Sequence, residues 1–203
     1  MITPFLKDHI ILTSKDHPNT LSIILFTDPL ICNLDCYNCH NKREAKRKAI
    51  SFEKMNLETA IFTVSNYKSL GVELLIISGG EPLMLYDKLV DTIKEIKKNI
   101  EIPIRIDTNG SLPDKASLLK NFVDGYGIDI KMPMKDYYTK DEEKMIKDFL
   151  KINNIYDYRD KVLSTVKIAN DMKYTHLRLG YVYYCMKYSV NKEELKKIGI
   201  ISV

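Results

Sequence analysis

The sequence predicts an α/β protein, a partial, open (β/α)6-type barrel of mainly parallel strands, folded as a single domain over residues 1–203. Three observations predict it. Short β-rich runs alternate with segments of helical periodicity, the pattern of right-handed βαβ units on a parallel sheet. Five or six such units fall short of the eight that close a complete barrel. The unusual polar motifs stand at the carboxyl ends of consecutive strands, where such folds place their sites. A doubly wound open sheet is the alternative arrangement of the same elements.

The elements follow in order. LSIILFT (21–27) is an apolar run of strand length, and a cysteine-rich loop follows it. From Phe52 to Leu70, the residues Leu57, Ala60, Ile61, Val64, Tyr67 and Leu70 repeat with helical spacing, and Gly71 is the stop. VELLIIS (72–78) is the second strand, ending in the loop GGEPL. A helix from Tyr86 to Asn99 carries Leu89, Ile93 and Ile96 on one face. IPIRID (102–107) is the third strand and leads into TNGSLP; a short helix over 114–122 precedes the fourth, GYGIDI (125–130). Helices over 140–153 and 157–172 lead to a fifth strand, THLRLGYVY (175–183). Asn191 caps a last helix, KEELKKI, and IGIISV is the stub of a sixth strand. The core thus runs from about residue 18 to 183, with 184–203 as an incomplete last unit.

Composition bounds the class. Apolar residues at 45%, charged residues at 29% and a net charge of +4 describe an ordinary globular domain. The start, MITPFLKDHIILTS, has neither the sustained apolar core nor the cleavage site of a secretory signal. No apolar run approaches the roughly 20 residues that a membrane helix needs. The expected compartment is therefore the cytoplasm, where clustered cysteines serve metal or redox chemistry rather than disulfides. Five of the seven residues from Lys42 to Lys48 are basic. A solvated loop accounts for them, and nucleic acid is not the expected partner.

Three of the four cysteines, Cys32, Cys36 and Cys39, form the pattern C-x3-C-x2-C. A closed zinc site wants four ligands, usually as two separated pairs. His40 directly adjoins Cys39, which is awkward if both are to bind one ion, and Cys185 sits in the aromatic run YVYYCMKY, where a lone cysteine is usually a small hydrophobe. Three thiolates on a [4Fe–4S] cluster would leave one iron open to a ligand. The spacing favours the cluster and leaves zinc as the alternative.

Further polar groups follow the later strands: Gly79, Gly80 and Glu81 the second, Asp107, Thr108, Asn109 and Gly110 the third, Asp129 and Lys131 the fourth. Singly these are a tight turn, a strand-end ion pair and another turn. Together, at the ends of four consecutive strands, they mark a site.

With these residues in view, the sequence resembles the radical S-adenosylmethionine (SAM) superfamily. FTDPLICNLDCYNCHN is similar to the cysteine motif of the glycyl-radical activating enzymes, especially those of anaerobic ribonucleotide reductase. ISGGEP, DTNG and DIKMP follow in that group's order. The resemblance covers about residues 18 to 135. It implies that Cys32, Cys36 and Cys39 ligate iron, that Gly79, Gly80 and Glu81 hold the SAM amino group, and that Asp129 and Lys131 lie near its ribose and carboxylate. It implies a monovalent cation held by Asp107, Thr108 and Asp129, with Asn109 in the same motif. The implied reaction is reductive cleavage of SAM to a 5′-deoxyadenosyl radical. The implied partners are a glycyl-radical protein as substrate and a flavodoxin or ferredoxin as electron donor. A small-molecule enzyme of the 7-carboxy-7-deazaguanine synthase type is the second reading. A non-catalytic metal-binding nucleic-acid module is a third, from another class. The sequence departs from the group at Asn38, where an aromatic residue is usual and Tyr37 stands one position early. His176 lies too early to match the histidine some of these enzymes use on the ribose.

Overall fold

A computed structural model describes residues 1–37, 39–47 and 52–179. The expected last helix, the sixth-strand stub and the second half of the fifth strand lie outside the described residues. The chain begins with β1 (Ile2–Thr13) and β2 (Ser22–Thr27), then α1 (His40–Arg47), β3 (Lys54–Asn56) and α2 (Leu57–Ser69). It continues through β4 (Leu74–Ser78), α3 (Tyr86–Asn99), β5 (Ile104–Thr108), α4 (Pro113–Leu119) and β6 (Gly125–Asp129). Last come α5 (Lys140–Leu150), α6 (Ile155–Ala169) and β7 (His176–Arg178). The sheet runs β3–β1–β2–β4–β5–β6–β7. From β2 to β7 every neighbouring pair is parallel, whereas β1 joins β2 and β3 antiparallel.

Side chains alternate along each parallel strand, and both faces are buried. Ile23, Leu25, Leu75, Ile77, Ile104, Ile106, Tyr126 and Ile128 point to one face and join the principal core. Helices α2 to α6 contribute to that same cluster, including Val64, Ile93, Leu119, Phe149 and Val162. Each such aliphatic side chain, once buried, contributes about 1.5–3 kcal/mol. The other face carries a smaller cluster, Ile24, Phe26, Leu74 and Ile76 with Tyr174 against it. At the same parity in β5, β6 and β7 stand Arg105, Asp107, Asp129 and Arg178. Among the described residues helices α2 to α6 all pack on the same face, as in an open barrel, whereas a doubly wound sheet would carry packed helices on both faces.

The barrel floor is closed by the β1–β2 connection. The backbone carbonyl of Asp16 accepts from Arg105 Nη1 at 2.7 Å, and the His17 ring lies 5.3 Å from that of Tyr174.

Helix starts are set by side-chain caps. Asn56 accepts from the Thr59 amide at 2.8 Å at the start of α2. Thr139 and Glu142 form a reciprocal capping box on α5. Asn154 accepts from the amides of Tyr156 and Asp157 at 3.0 and 3.1 Å, so α6 begins two residues before the expected 157.

Three elements depart from expectation. Strand β1 was not predicted, because the register shifts between Phe5 and Ile10 and this break spoils its period of two. Strand β3 takes three residues from the predicted start of α2. The basic stretch after the cysteines is helical in α1 rather than a loop.

Candidate active site

The cysteine loop leaves β2 through a tight turn in which Leu30 N donates to Asp28 Oδ1 at 2.9 Å and Ile31 N to the Asp28 carbonyl at 3.1 Å. Buried Leu34 pins the loop to the core. Tyr37 N donates to the Phe149 carbonyl of α5 at 2.7 Å, and Cys39 N to the Cys36 carbonyl at 3.3 Å. The three thiols are thereby held at partial burial, none in a disulfide. They line one cavity of about 600 Å³ together with Gly79, Gly80, Asp107, Thr108, Asn109, Asp129 and Lys131. Four strand ends meet there, as the positions of the motifs predict. Ile24, Phe26, Leu34 and Phe149 supply its apolar wall.

Burial pushes the Cys32 thiol up from its usual range, and it pushes Cys36 to about 11 against the pull of Lys131. Both are protonated thiols at neutral pH, so a metal binding them must expel protons. Donors already face the sulfur of Cys32: the Leu34 amide at 3.5 Å and Asn109 Nδ2 at 3.9 Å. Such contacts suit a sulfur that becomes a thiolate ligand. Among the described residues no three His, Cys, Asp or Glu side chains converge on a single-ion site. Three thiols lining one roomy, mainly apolar cavity fit a cluster held by three sulfurs.

The glycine turn after β4 is wedged against β2. Gly79 has φ +130°, and a Cβ there would stand 2.4 Å from the Thr27 carbonyl oxygen. The Glu81 amide donates to the Ile31 carbonyl at 2.8 Å, and Asn41 Nδ2 donates to the Gly79 carbonyl. At Gly80 a Cβ would collide with the carbonyl oxygens of Ile31 and Asp28, so the turn needs glycine for contact with the cysteine loop itself.

The Glu81 side chain, whose expected partner is the SAM amino group, is fully buried beneath the cavity. Its Oε1 accepts from Thr108 Oγ1 at 2.8 Å and the Leu83 amide at 3.2 Å, and its Oε2 from the Asn109 amide at 2.8 Å. The carboxylate thus fastens the end of β4 to the end of β5. Burial outweighs these donors and pushes its pKa up to about 7.

Asn109 is a clamp as well. Its Nδ2 donates to Asn33 Oδ1 at 3.0 Å, and its Oδ1 accepts from the Ser111 amide at 2.9 Å. From below, Tyr158 OH donates to the Asn109 carbonyl at 3.1 Å and Thr165 Oγ1 to the Gly110 carbonyl at 2.7 Å. Helix α6 thus fixes the DTNG turn, and the turn fixes the loop that carries Cys32.

Asp107 and Asp129 sit in an alternating ladder of charge across β5, β6 and β7. Arg105 Nε donates to Asp107 Oδ1 at 3.0 Å, and Arg178 Nη1 to Asp107 Oδ2 at 2.5 Å. Arg178 Nε donates to Asp129 Oδ1 at 2.9 Å, and Lys131 Nζ to Asp129 Oδ2 at 2.8 Å. Gly127 makes room, since a Cβ there would stand 2.3 Å from Asp107 Oδ1. Burial raises the pKa of Asp129, but Lys131 and Arg178 outweigh it and hold the carboxyl below the usual range. The expected monovalent cation does not fit this arrangement, because cationic nitrogens already engage both carboxylates. Thr108 Oγ1, its third expected ligand, is committed to Glu81. His176 is bound into the same interior, its Nδ1 3.1 Å from Arg105 Nη1.

Arg105, Arg178, Tyr158 and Asn33 were not among the predicted site residues. A signal existed for the arginines. A charged residue two places before Asp107, in a strand otherwise apolar, has to find its partner inside the barrel. Arg178 repeats that parity on β7. Tyr37 lines the cavity, whereas Asn38 lies outside the described residues.

Residues 29–198 match the model of the Radical SAM superfamily, most of the chain. The chain belongs to the radical SAM superfamily. That superfamily uses a [4Fe–4S] cluster and SAM, in accord with the three thiols and the strand-end motifs. A Methanocaldococcus jannaschii protein provisionally named as a glycyl-radical enzyme activating enzyme is 30% identical to this radical SAM chain over 161 residues, 71% of this chain and 62% of that protein. The 7-carboxy-7-deazaguanine synthase of the same organism is 28% identical over 153 residues, 69% of this chain and 61% of that one. The chain thus spans about three-fifths of the length of these curated relatives. The crystal structure of archaeal TYW1 aligns with 96% of this chain and 68% of that one at 19% identity, with a TM-score of 0.45. Among the described residues no helix is long and apolar enough to cross a membrane.

Proposed function

We propose that this protein is a radical SAM enzyme that installs a glycyl radical on a partner protein, such as an anaerobic ribonucleotide reductase. Cys32, Cys36 and Cys39 would hold a [4Fe–4S] cluster, and the backbone at Gly79 and Gly80, with Asp129 and Lys131, would lie against SAM. When bound, the cluster and SAM supply the electron transfer and S–C5′ cleavage that yield methionine and a 5′-deoxyadenosyl radical. The chain's own part is to position and exclude. Asn109 and the Leu34 amide face the Cys32 sulfur, Lys131 brings positive charge to the cavity, and Ile24, Phe26, Leu34 and Phe149 keep water from the reacting atoms.

The observation that carries this reading is the convergence of all three thiols and the ends of four consecutive strands on one cavity. The activating-enzyme subtype is supported by the order ISGGEP, DTNG, DIKMP and by the similarity to the named activating enzyme. The synthase of 7-carboxy-7-deazaguanine is the rival, supported by a similarity nearly as strong. An external flavodoxin or ferredoxin as donor, and the cytoplasm as compartment, complete the proposal.

The test is anaerobic. The protein is reconstituted with iron and sulfide, reduced and given SAM, and 5′-deoxyadenosine is quantified beside a Cys36→Ala control. Product from the wild type alone is expected. An organic radical signal on an added glycyl-radical protein, seen by electron paramagnetic resonance, separates the activating reading from the small-molecule one. A protein that binds one zinc and forms no cluster would refute both.

A further inference from the structure

We propose that Arg178 is a built-in counter-cation: its guanidinium neutralises the Asp107–Asp129 pair in place of a bound monovalent metal ion, so that SAM binding here requires neither Na⁺ nor K⁺. The inference rests on the reading above only in taking SAM as the occupant of this cavity.

Every oxygen of the pair is engaged. Arg178 spans from Asp107 Oδ2 (2.5 Å) to Asp129 Oδ1 (2.9 Å), while Arg105 and Lys131 take Asp107 Oδ1 and Asp129 Oδ2. A hard cation needs several oxygen ligands at once, and this pair offers none that is not already accepting from a cationic nitrogen. The charge balance points the same way. Arg105, Arg178 and Lys131 set three positive charges against Asp107, Asp129 and the more distant Asp16 of the same cavity, so the acidic groups are already balanced without an added ion.

The position of Arg178 is fixed by the sheet rather than by the flexibility of its side chain. It is the register partner of Asp129 across the parallel β6–β7 pair. Its carbonyl accepts from the Ile130 amide at 2.7 Å, which locks its backbone to the adjacent strand. A guanidinium is permanently charged and presents its donors in a rigid fork, which suits it to bridge two carboxylates from neighbouring strands. Arg178 also lines the cavity beside Lys131. The charge it brings to the acidic pair therefore also faces the space where an anionic group of SAM, its carboxylate, would lie.

The experiment compares salts at equal ionic strength on cluster-loaded wild type, Arg178→Lys and Arg178→Met. Tetramethylammonium chloride, too bulky to sit between two carboxylates, is set against NaCl and KCl. The melting temperature is read first, without SAM, and the SAM dissociation constant second, by calorimetry. Wild type and Arg178→Lys are expected to melt at the same temperature in all three salts and to bind SAM with the same affinity. Arg178→Met is expected to gain dependence on a small cation, with about tenfold weaker SAM binding in tetramethylammonium than in NaCl or KCl, the scale of one lost charge interaction. Saturable stabilisation of the wild type by Na⁺ or K⁺, or tighter SAM binding in either, would overturn the proposal. So would an Arg178→Met protein indifferent to the salt. If Arg178→Met fails to fold, the wild type and Arg178→Lys carry the decision. A wild type that binds no SAM in any salt refutes the radical SAM reading instead, and the melting comparison still decides the role of Arg178.

Discussion

Replacing Glu81 by Gln tests how the two central motifs are joined. Glu81 is fully buried and accepts three hydrogen bonds, from Thr108, Leu83 and Asn109. Glutamine keeps the volume but puts an NH₂ group where one oxygen was, so at least one buried donor loses its acceptor, at a cost of about 1–3 kcal/mol. That loss does not vary with pH. A second difference does. Burial lifts the Glu81 pKa from the ordinary 4.5 to about 7. Below pH 4.5 folded and unfolded chains both keep the proton. Between 4.5 and about 7 the unfolded chain releases it first, so wild-type stability falls as pH rises; above 7 both forms are ionised and the contribution is constant. At about 1.4 kcal/mol per unit, the wild type loses roughly 3 kcal/mol across that window, and the glutamine variant, with nothing to titrate, does not. The assay is urea unfolding of the cluster-free protein, both forms, at pH 5, 6, 7 and 8. The advantage of the wild type over the variant should shrink steadily up to about pH 7 and then level off. An advantage that is constant from pH 5 to 8, or grows, would refute the buried, raised carboxyl.

Other expectations are simpler. Gly79→Ala puts a Cβ 2.4 Å from the Thr27 carbonyl oxygen on a backbone at φ +130°; it should destabilise the protein by about 2 kcal/mol or more and lower the iron retained after reconstitution, read by metal analysis. Tyr158→Phe removes the buried hydroxyl under the Asn109 carbonyl and should cost about 1 kcal/mol in urea unfolding, with an unchanged circular dichroism spectrum. Asn154→Ala removes the cap of α6 and should cost a similar amount, while Asn154→Ser should recover most of it.

The parallel half of the sheet was legible because its strands are buried on both faces and read as unbroken apolar runs, as in LSIILF and LLIIS. The cysteine loop and the other strand-end motifs were legible because their residue types are costly anywhere but at a site. What escaped were features whose cause is tertiary. The bulge in β1 hides its alternation. Asn154 looks like any loop residue until its oxygen is seen to accept two amides. Glu81, Asn109 and Thr108 stand in motifs that point to a ligand, and nothing in those motifs foretells that their side chains also hold one another and the cysteine loop. Spacing tells which residues come together; it does not tell which of them turn inward to hold the others.

The charge ladder has a consequence for how the molecule is assembled. Among the described residues strand β7 (His176–Arg178) lies at the edge of the sheet, a position at which strands ordinarily fray. Here it brings the only positive charge that reaches both Asp107 and Asp129 among the described residues. Until β7 docks, those two aspartates face each other across β5 and β6 with one fewer counter-charge, and removing one partner of such a buried set costs about 3–5 kcal/mol. This short strand is therefore a keystone. Amides in β5, β6 and β7 should open to hydrogen exchange together rather than from the edge inward, and the cavity should form only when β7 has arrived.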